Sequence, residues 1–193
     1  ADPIILLAPG VSFTITSDGR HATATADVEL RHGPVVLNLR CGDTELQRAE
    51  PPEENSRRAA VAHHSRRWVQ ALQLPSVKPS LVRRSALVLR ALVHEPTGAV
   101  LAAPTTSLPE GIGGTRNWDY RYCWLRDGSM TVNALVDLGS TSEAEGFLSW
   151  LGRILAHAPG PEWLHPLYSV TGAPLSTEAI IESLPGYAGS RPV

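Results

Sequence analysis

The amino-acid sequence predicts a β-then-α protein, with a short antiparallel sheet followed by a helical region that takes up most of the chain. Two observations carry this. Ala22, Ala24, Ala26, Val28 and Leu30 alternate with Thr23, Thr25, Asp27 and Glu29, the period of two of a half-buried strand. Later in the chain, Phe147, Leu148, Leu151, Ile154 and Leu155 recur at helical spacing. Strands grouped ahead of helices indicate a β domain followed by an α domain, not an alternating α/β fold.

The elements follow in order. Ile4–Leu7, Val11–Thr16, His21–Leu30 and Val35–Leu39 read as strands, with turns at Ser17-Asp18-Gly19 and Gly33-Pro34. Residues 45–58 are polar, contain Pro51-Pro52 and read as a loop. Ser80, after Pro79, is the expected N-cap of a helix over Leu81–Val93, with Leu81, Val88 and Leu92 on its apolar face. Five prolines and glycines make 100–117 a long loop. A helix is expected over Asp127–Leu138, stopped by Gly139. Ser142 and Glu145 have the spacing of a capping box for the next helix, which Pro159-Gly160-Pro161 ends. A helical turn is expected over Glu178–Ser183.

Composition narrows the function. The net charge of −2 argues against a general polyanion binder, so no nucleic-acid partner is expected. No apolar run approaches a membrane span. The opening ADPIILLAPG lacks the basic flank of a signal peptide. Sixteen of the seventeen basic residues are arginine, and alanine is abundant, the usage of a GC-rich coding sequence. These features give the expectation of a bacterial, cytoplasmic protein. Met130 is the only methionine, so residue 1 is not a translation start and the chain is expected to be part of something longer. Two cysteines, Cys41 and Cys123, exclude a disulfide scaffold and a four-thiolate zinc site. His63-His64 has no second cluster at metal-ligand spacing, and Gly111, Gly113 and Gly114 match neither a dinucleotide nor a P-loop pattern. No metal or cofactor is expected. Between Arg57 and His94 lie eight basic residues and no acid, which read either as an anion-binding face or as arginines of a linker helix.

The chemistry concentrates later. Nine of the eleven aromatic residues lie between Trp118 and Tyr187. The run Asn117-Trp118-Asp119-Tyr120-Arg121-Tyr122-Cys123-Trp124-Leu125-Arg126-Asp127 holds four aromatics, two arginines and two aspartates just before a helix. A sugar site needs this mixture, with aromatic faces against pyranose C–H groups and Asp and Arg on the hydroxyls. A buried aromatic cluster with an Arg–Asp ion pair has the same composition, and the residues alone leave both readings open. Asp119 and Asp127 are candidates for a glycosidase acid/base pair. A carboxylate at a helix start, as Asp127 is, suits hydroxyl binding better than proton donation. Thr105-Thr106-Ser107 offers hydroxyls without a nucleophile elbow, Glu110 reads as a solvated loop charge, and Cys123 as a small packing residue.

Several separate motifs in order resemble glycoside hydrolase family 15, which contains glucoamylases, glucodextranases and bacterial trehalases. They are Pro96-Thr97-Gly98-Ala99, Ala102 to Glu110, Gly113-Gly114-x-Arg116 running on to Asp127, Leu164 to Tyr168, and Leu184 to Val193. The resemblance covers about Val82 to Val193. It implies the end of an N-terminal β-sandwich (1–50), a linker (51–79), and the first third of an (α/α)6 barrel of the six-hairpin glycosidase type (80–193). It also implies that Tyr120, Trp124, Arg126 and Asp127 line the subsite for the non-reducing-end glucose. Arg126 and Asp127 would hold outer hydroxyls, Trp124 would shape the pocket, and Tyr120 would sit near the scissile oxygen. Asn117, Trp118 and Asp119 would shape the loop.

By the same resemblance, the parent protein inverts the anomeric carbon with two glutamates, and no glutamate here lies in either motif. No catalytic residue is therefore assigned, and the chain is expected to be an inactive fragment of an enzyme. The implied substrates are trehalose, maltooligosaccharides or other short α-glucans. The rival expectation is a non-catalytic sugar-binding or regulatory protein that keeps only the glucose-subsite loops. A barrel segment standing alone is also expected to leave Phe147, Leu151 and Leu155 uncovered.

Overall fold

The computed structural model describes residues 4–17, 19, 22–41, 51–105 and 108–193. It divides into two units, Ala1–Arg66 and Arg67–Val193. Asp18, His21, residues 45–50, Thr106 and Ser107 lie outside the described residues, and so do the readings that fall on them.

The first unit holds two antiparallel ribbons. Strand β1 (Ile4–Leu7) pairs with β4 (Asn38–Cys41), Ile4 opposite Cys41 and Leu7 opposite Asn38. Strand β2 (Thr14–Ser17) pairs with β3 (Ala22–Thr25). The antiparallel expectation holds, but each strand has only four residues. The alternation predicted over 21–30 forms a strand only as far as Thr25, and Leu30–His32 is instead a short 3-10 turn. The last strand begins three residues later than predicted, because Gly33-Pro34 and the segment after it stay irregular.

The segment read as a loop is helical within the described residues. Helix α1 runs from Pro51 to Ala71. Pro51 and Pro52 occupy its first turn, where a missing N–H costs nothing and a fixed φ favours the helix. Glu53 and Glu54 add the acidic charge that a helix start favours. Helix α2 covers Pro79–Ala91 and is capped by Lys78 in left-handed conformation, φ 48°, not by Ser80. Ser80 already lies inside the first turn. Of the predicted face, Leu92 is buried in the core, but Leu81 and Val88 are exposed and Ala86 is buried instead.

Helix α3 (Leu125–Asp137) ends as expected at Gly139, φ 85°. The Gly139 and Ser140 N–H groups donate to Val136 and Leu135 at 2.8 and 2.9 Å, closing a Schellman end. Helix α4 (Ser142–Leu155) has no capping box. Its first turn presents buried Glu143, which accepts from Ser140 Oγ (2.6 Å) and Ser142 Oγ (3.0 Å) and pairs with Arg90 Nε (3.3 Å). Trp68 Nε1 donates to the same Ser140 Oγ at 3.0 Å, and the Arg90 guanidinium lies 4.7 Å from the Trp68 ring centre. One polar cluster thus joins the end of α1, helix α2, the α3–α4 turn and α4.

The core of this unit gathers Leu92, Ala99, Val100, Cys123, Val132, Phe147, Trp150, Ile154 and Tyr168. Phe147 and Trp150 stack at 5.6 Å, and Tyr168 meets Trp150 edge-on at 6.2 Å. Phe147, expected to be uncovered, is buried against Gly128 of α3, whereas Leu148 and Leu155 are exposed. Trp150, absent from the predicted stripe, is the largest fully buried side chain among the described residues. Fully burying a large apolar side chain contributes about 1.5–3 kcal/mol, so α3 and α4 are held by this seam. The tight turn between Val93 and Val100 packs Gly98 (φ 79°) onto Gly146 of α4. Two residues of strand β5 (Cys123–Trp124) pair with β6 (Leu167–Tyr168). No helical turn forms over 178–183, which is irregular apart from a turn closed by Leu184 N–H on the Ile181 carbonyl at 3.2 Å.

Candidate functional site

Strand β5 passes into α3 without a loop. Trp124 is extended (φ −79°, ψ 126°) and serves as N-cap residue, and the Leu125 N–H donates to the Pro166 carbonyl at 3.0 Å. Arg126 and Asp127 therefore stand on the first helical turn, directly after a paired strand. Arg126 Nη2 donates to Asp127 Oδ2 at 3.1 Å, with the two side chains 75% and 38% exposed. The Arg126 guanidinium lies 5.8 Å from the Trp124 ring centre. Among the described residues, buried Trp124 Nε1 has no hydrogen-bond partner. The structure thus brings together Trp124, Arg126 and Asp127. Half-buried Tyr120 is held through its backbone, its carbonyl accepting from Ala103 N–H at 2.8 Å. Among the described residues, no ring-stacking, cation–π or hydrogen-bond contact joins its side chain to the other three.

The preceding turn is fixed by two different devices. Asn117 is buried, and its Nδ2 donates to the carbonyls of Gly114 (3.1 Å) and Arg191 (2.8 Å). Gly113 N–H reaches Ser190 Oγ at 2.9 Å. Asp119 accepts from the Arg121 N–H (2.9 Å), Nε (3.0 Å) and Nη2 (2.7 Å). Those side-chain bonds from Arg121 hold the Asp119 carboxyl below its usual range, against the opposing effect of burial. An ionised, doubly bonded carboxylate is a poor proton donor, so the geometry does not support Asp119 and Asp127 as an acid/base pair. The run holds an Arg–Asp ion pair at 119–121 and an Arg–Asp–Trp group at 124–127. Glu110 pairs with Arg116 at 3.2 Å, both exposed. Burial pushes the Cys123 thiol up to about 11, which makes it a packing residue and not a nucleophile.

A groove of about 480 Å³ lies beside β5. Of the four residues expected at the glucose subsite, Trp124 is on its lining, which also includes Asp119, Trp118 and Tyr122 together with Thr177 and Glu178. The sequence signalled Tyr122 as a member of an aromatic run and Trp118 as a residue shaping the loop, and it gave no sign that Thr177 or Glu178 would approach them, which is a matter of tertiary folding. A second cavity, of about 560 Å³, lies at the end of α4 near His157, Trp163 and His165. Among the described residues, no group of three His, Cys, Asp or Glu side chains stands where it could hold a metal ion, and no helix is long and apolar enough to cross a membrane.

A small β-rich part followed by helices, with an indole, a guanidinium and a carboxylate gathered at one helix start, has the makings of a carbohydrate-recognising protein. Known proteins narrow that class. Residues 76–193 match the family described as Glycosyl hydrolases family 15, and residues 1–65 match that described as Trehalase-like, N-terminal. The chain belongs to glycosyl hydrolase family 15, a family of glycosidases. It is 35% identical to a trehalase of Thermoplasma acidophilum over 181 residues, covering 94% of this chain and 30% of that one. It is 37% identical to trehalase 2 of Sulfolobus acidocaldarius, over 75% of this chain and 24% of the relative. A Mycolicibacterium smegmatis trehalase is 42% identical over 66% of this chain and 20% of its own length. The chain therefore spans less than a third of the curated relatives it matches. No solved structure matches it.

Proposed function

We propose that this chain is the part of an inverting α-glucoside hydrolase that holds the non-reducing-end glucose, and that the whole protein acts on trehalose or short α-glucans. The observation that carries the reading is the Arg126–Asp127 pair on the first turn of α3 beside Trp124, inside the segment that matches the family. Arg126 and Asp127 would bond to outer hydroxyls of the sugar, Trp124 would present an apolar face, and Tyr120 would stand toward the glycosidic oxygen. The β-rich first unit would be the end of a β-sandwich, and the helices of the second the beginning of an (α/α)6 barrel. In an inverting reaction one carboxylic acid protonates the departing oxygen. A second carboxylate takes a proton from the water that attacks the opposite face of the anomeric carbon. The present chain supplies neither group, so alone it binds sugar weakly and releases no glucose. The test is titration calorimetry of this chain with glucose and trehalose, with glucose release assayed in parallel. Saturable binding that Asp127→Ala abolishes, without turnover, is expected. Turnover by this chain would refute the fragment reading. Binding indifferent to Asp127→Ala would refute the subsite.

A further inference from the structure

The cavity at the end of α4 is lined by residues between Trp150 and Pro174 and shares none of them with the groove beside β5. Tyr120, Trp124, Arg126 and Asp127 are not on its lining, so it stands apart from the proposed glucose subsite. Its volume of about 560 Å³ falls within the roughly 300–1,000 Å³ of small-ligand sites. Its floor is built by the core. Gly172 (φ 86°) lets the loop lie against Ile154 and Trp150, and Trp150 Nε1 donates to the Val170 carbonyl at 3.1 Å.

Two features of the lining select a ligand class, and the first is charge. Arg153 is on the lining, and among the described residues no carboxylate is. The Glu162 carboxylate lies beside Gly160, off the lining. Arg153 Nη2 donates to the Thr97 carbonyl at 2.6 Å, which fixes the guanidinium and leaves its other N–H groups for an anion. His157 Nδ1 donates to the Arg153 carbonyl at 2.7 Å, so Nε2 is the ring nitrogen left to a ligand. Tyr168 Oη accepts from the His165 N–H at 2.8 Å and keeps its own proton to donate.

The second feature is a flat apolar wall. Trp163 closes the 3-10 turn Pro161–Trp163, with its N–H on the Gly160 carbonyl at 3.0 Å. Its side chain is on the lining, yet the residue leaves 64% of its surface in solvent, so its removal opens no core. A ring held on so short a turn offers a stacking face with little freedom left to lose. Pro159 and Pro174 add rigid apolar surface to the same lining.

We propose that this cavity binds a small organic anion built on a planar aromatic ring, with the anionic oxygens on Arg153 and the ring against Trp163. The site is independent of the glucose subsite, and neither reading depends on the other.

The experiment uses the 193-residue chain. Phenyl phosphate and benzoate carry both halves of the ligand, inorganic phosphate carries the anion alone, and benzyl alcohol the ring alone. Indole N–H NMR locates binding, and titration calorimetry measures it. Either ring-bearing anion is expected to move the Trp163 signal saturably. Trp68, tied to Ser140 at the other end of α4, is expected to stay still. Inorganic phosphate and benzyl alcohol are expected to bind about tenfold more weakly or worse. Trp163→Ala and Arg153→Met are each expected to weaken the ring-bearing anion by about tenfold, and an unmoved Trp68 signal shows that each variant is folded. If inorganic phosphate binds as tightly as phenyl phosphate, the ring plays no part; if benzyl alcohol does, the charge plays none. Either result overturns the proposal. So does a still Trp163 signal with both ring-bearing anions, or normal binding by either variant.

Discussion

Replacing Glu143 with alanine removes the acceptor at the centre of the polar cluster that joins the end of α1, helix α2, the α3–α4 turn and α4. Its Oε2 takes the Ser140 and Ser142 hydroxyls, and its Oε1 faces Arg90 at 3.3 Å. Breaking a fully buried ion pair from one side costs about 3–5 kcal/mol. Arg90 keeps 26% of its surface in solvent and its place over the Trp68 ring, so the loss of the carboxylate is partly compensated. Ser140 Oγ still accepts from Trp68 Nε1 but loses its own acceptor. We expect a loss of roughly 2–3 kcal/mol for Glu143→Ala and about 1 kcal/mol for Glu143→Gln, which keeps an acceptor oxygen. The assay is urea unfolding followed by tryptophan fluorescence. All five tryptophans lie between Trp68 and Trp163, so the signal reports the second unit alone. Burial pushes the Glu143 carboxyl upward, but the Ser140, Ser142 and backbone hydrogen bonds and the Arg90 charge outweigh it, and the net shift is downward from 4.5. The stabilisation is therefore complete above pH 4.5 and fades as the pH falls through the lower folded-state value. The deficit of Glu143→Ala must shrink in that acid window. The reasoning is refuted if Glu143→Ala unfolds like the exposed control Glu145→Ala, or if its deficit is the same in acid as at neutrality.

Three other outcomes follow from the packing. Gly98→Ala should cost roughly 2–5 kcal/mol, because φ is 79° there and the added methyl would overlap the Gly146 carbonyl; the same unfolding assay measures it. Cys123 should resist alkylation at pH 8 in the folded chain and react promptly in urea, since burial holds its thiol at about 11, and mass spectrometry distinguishes the two. Asn117→Ala should release the turn at 110–117 from the carbonyls of Gly114 and Arg191, with limited proteolysis showing faster cleavage there while urea stability of the second unit falls by about 1–2 kcal/mol.

What the sequence disclosed follows how local each signal is. The strands near Ile4 and Thr23 and the end of α3 at Gly139 depend on neighbouring residues, and all were readable. The start of α1 was missed because Pro51-Pro52 signals equally a loop and a first helical turn. The buried face of α2 was misjudged because apolarity pointed to Leu81 and Val88, while the packing chose small Ala86. Glu143 resembles an ordinary surface acid until Arg90, Ser140 and Trp68 converge on it from other elements. At the site, Trp124, Arg126 and Asp127 fell together because they are consecutive or nearly so. Tyr120 stands apart from them, since the chain turns at Asp119–Arg121, a bend that the spacing does not reveal.

The timing of assembly follows from how the candidate site is tied down. Cys123 finds its strand partner in Tyr168, and Asn117 and Gly113 find theirs 74 and 77 residues downstream, at Arg191 and Ser190. During synthesis, the helices α2 to α4 can associate through contacts close in the chain, but the turn that leads into Trp124 lacks these two partners until Ser190 and Arg191 emerge. Closing such long segments is slow relative to helix pairing, although its entropic cost grows only as the logarithm of length. Trp118 to Asp127 are thus set in place after the helical seam that supports them.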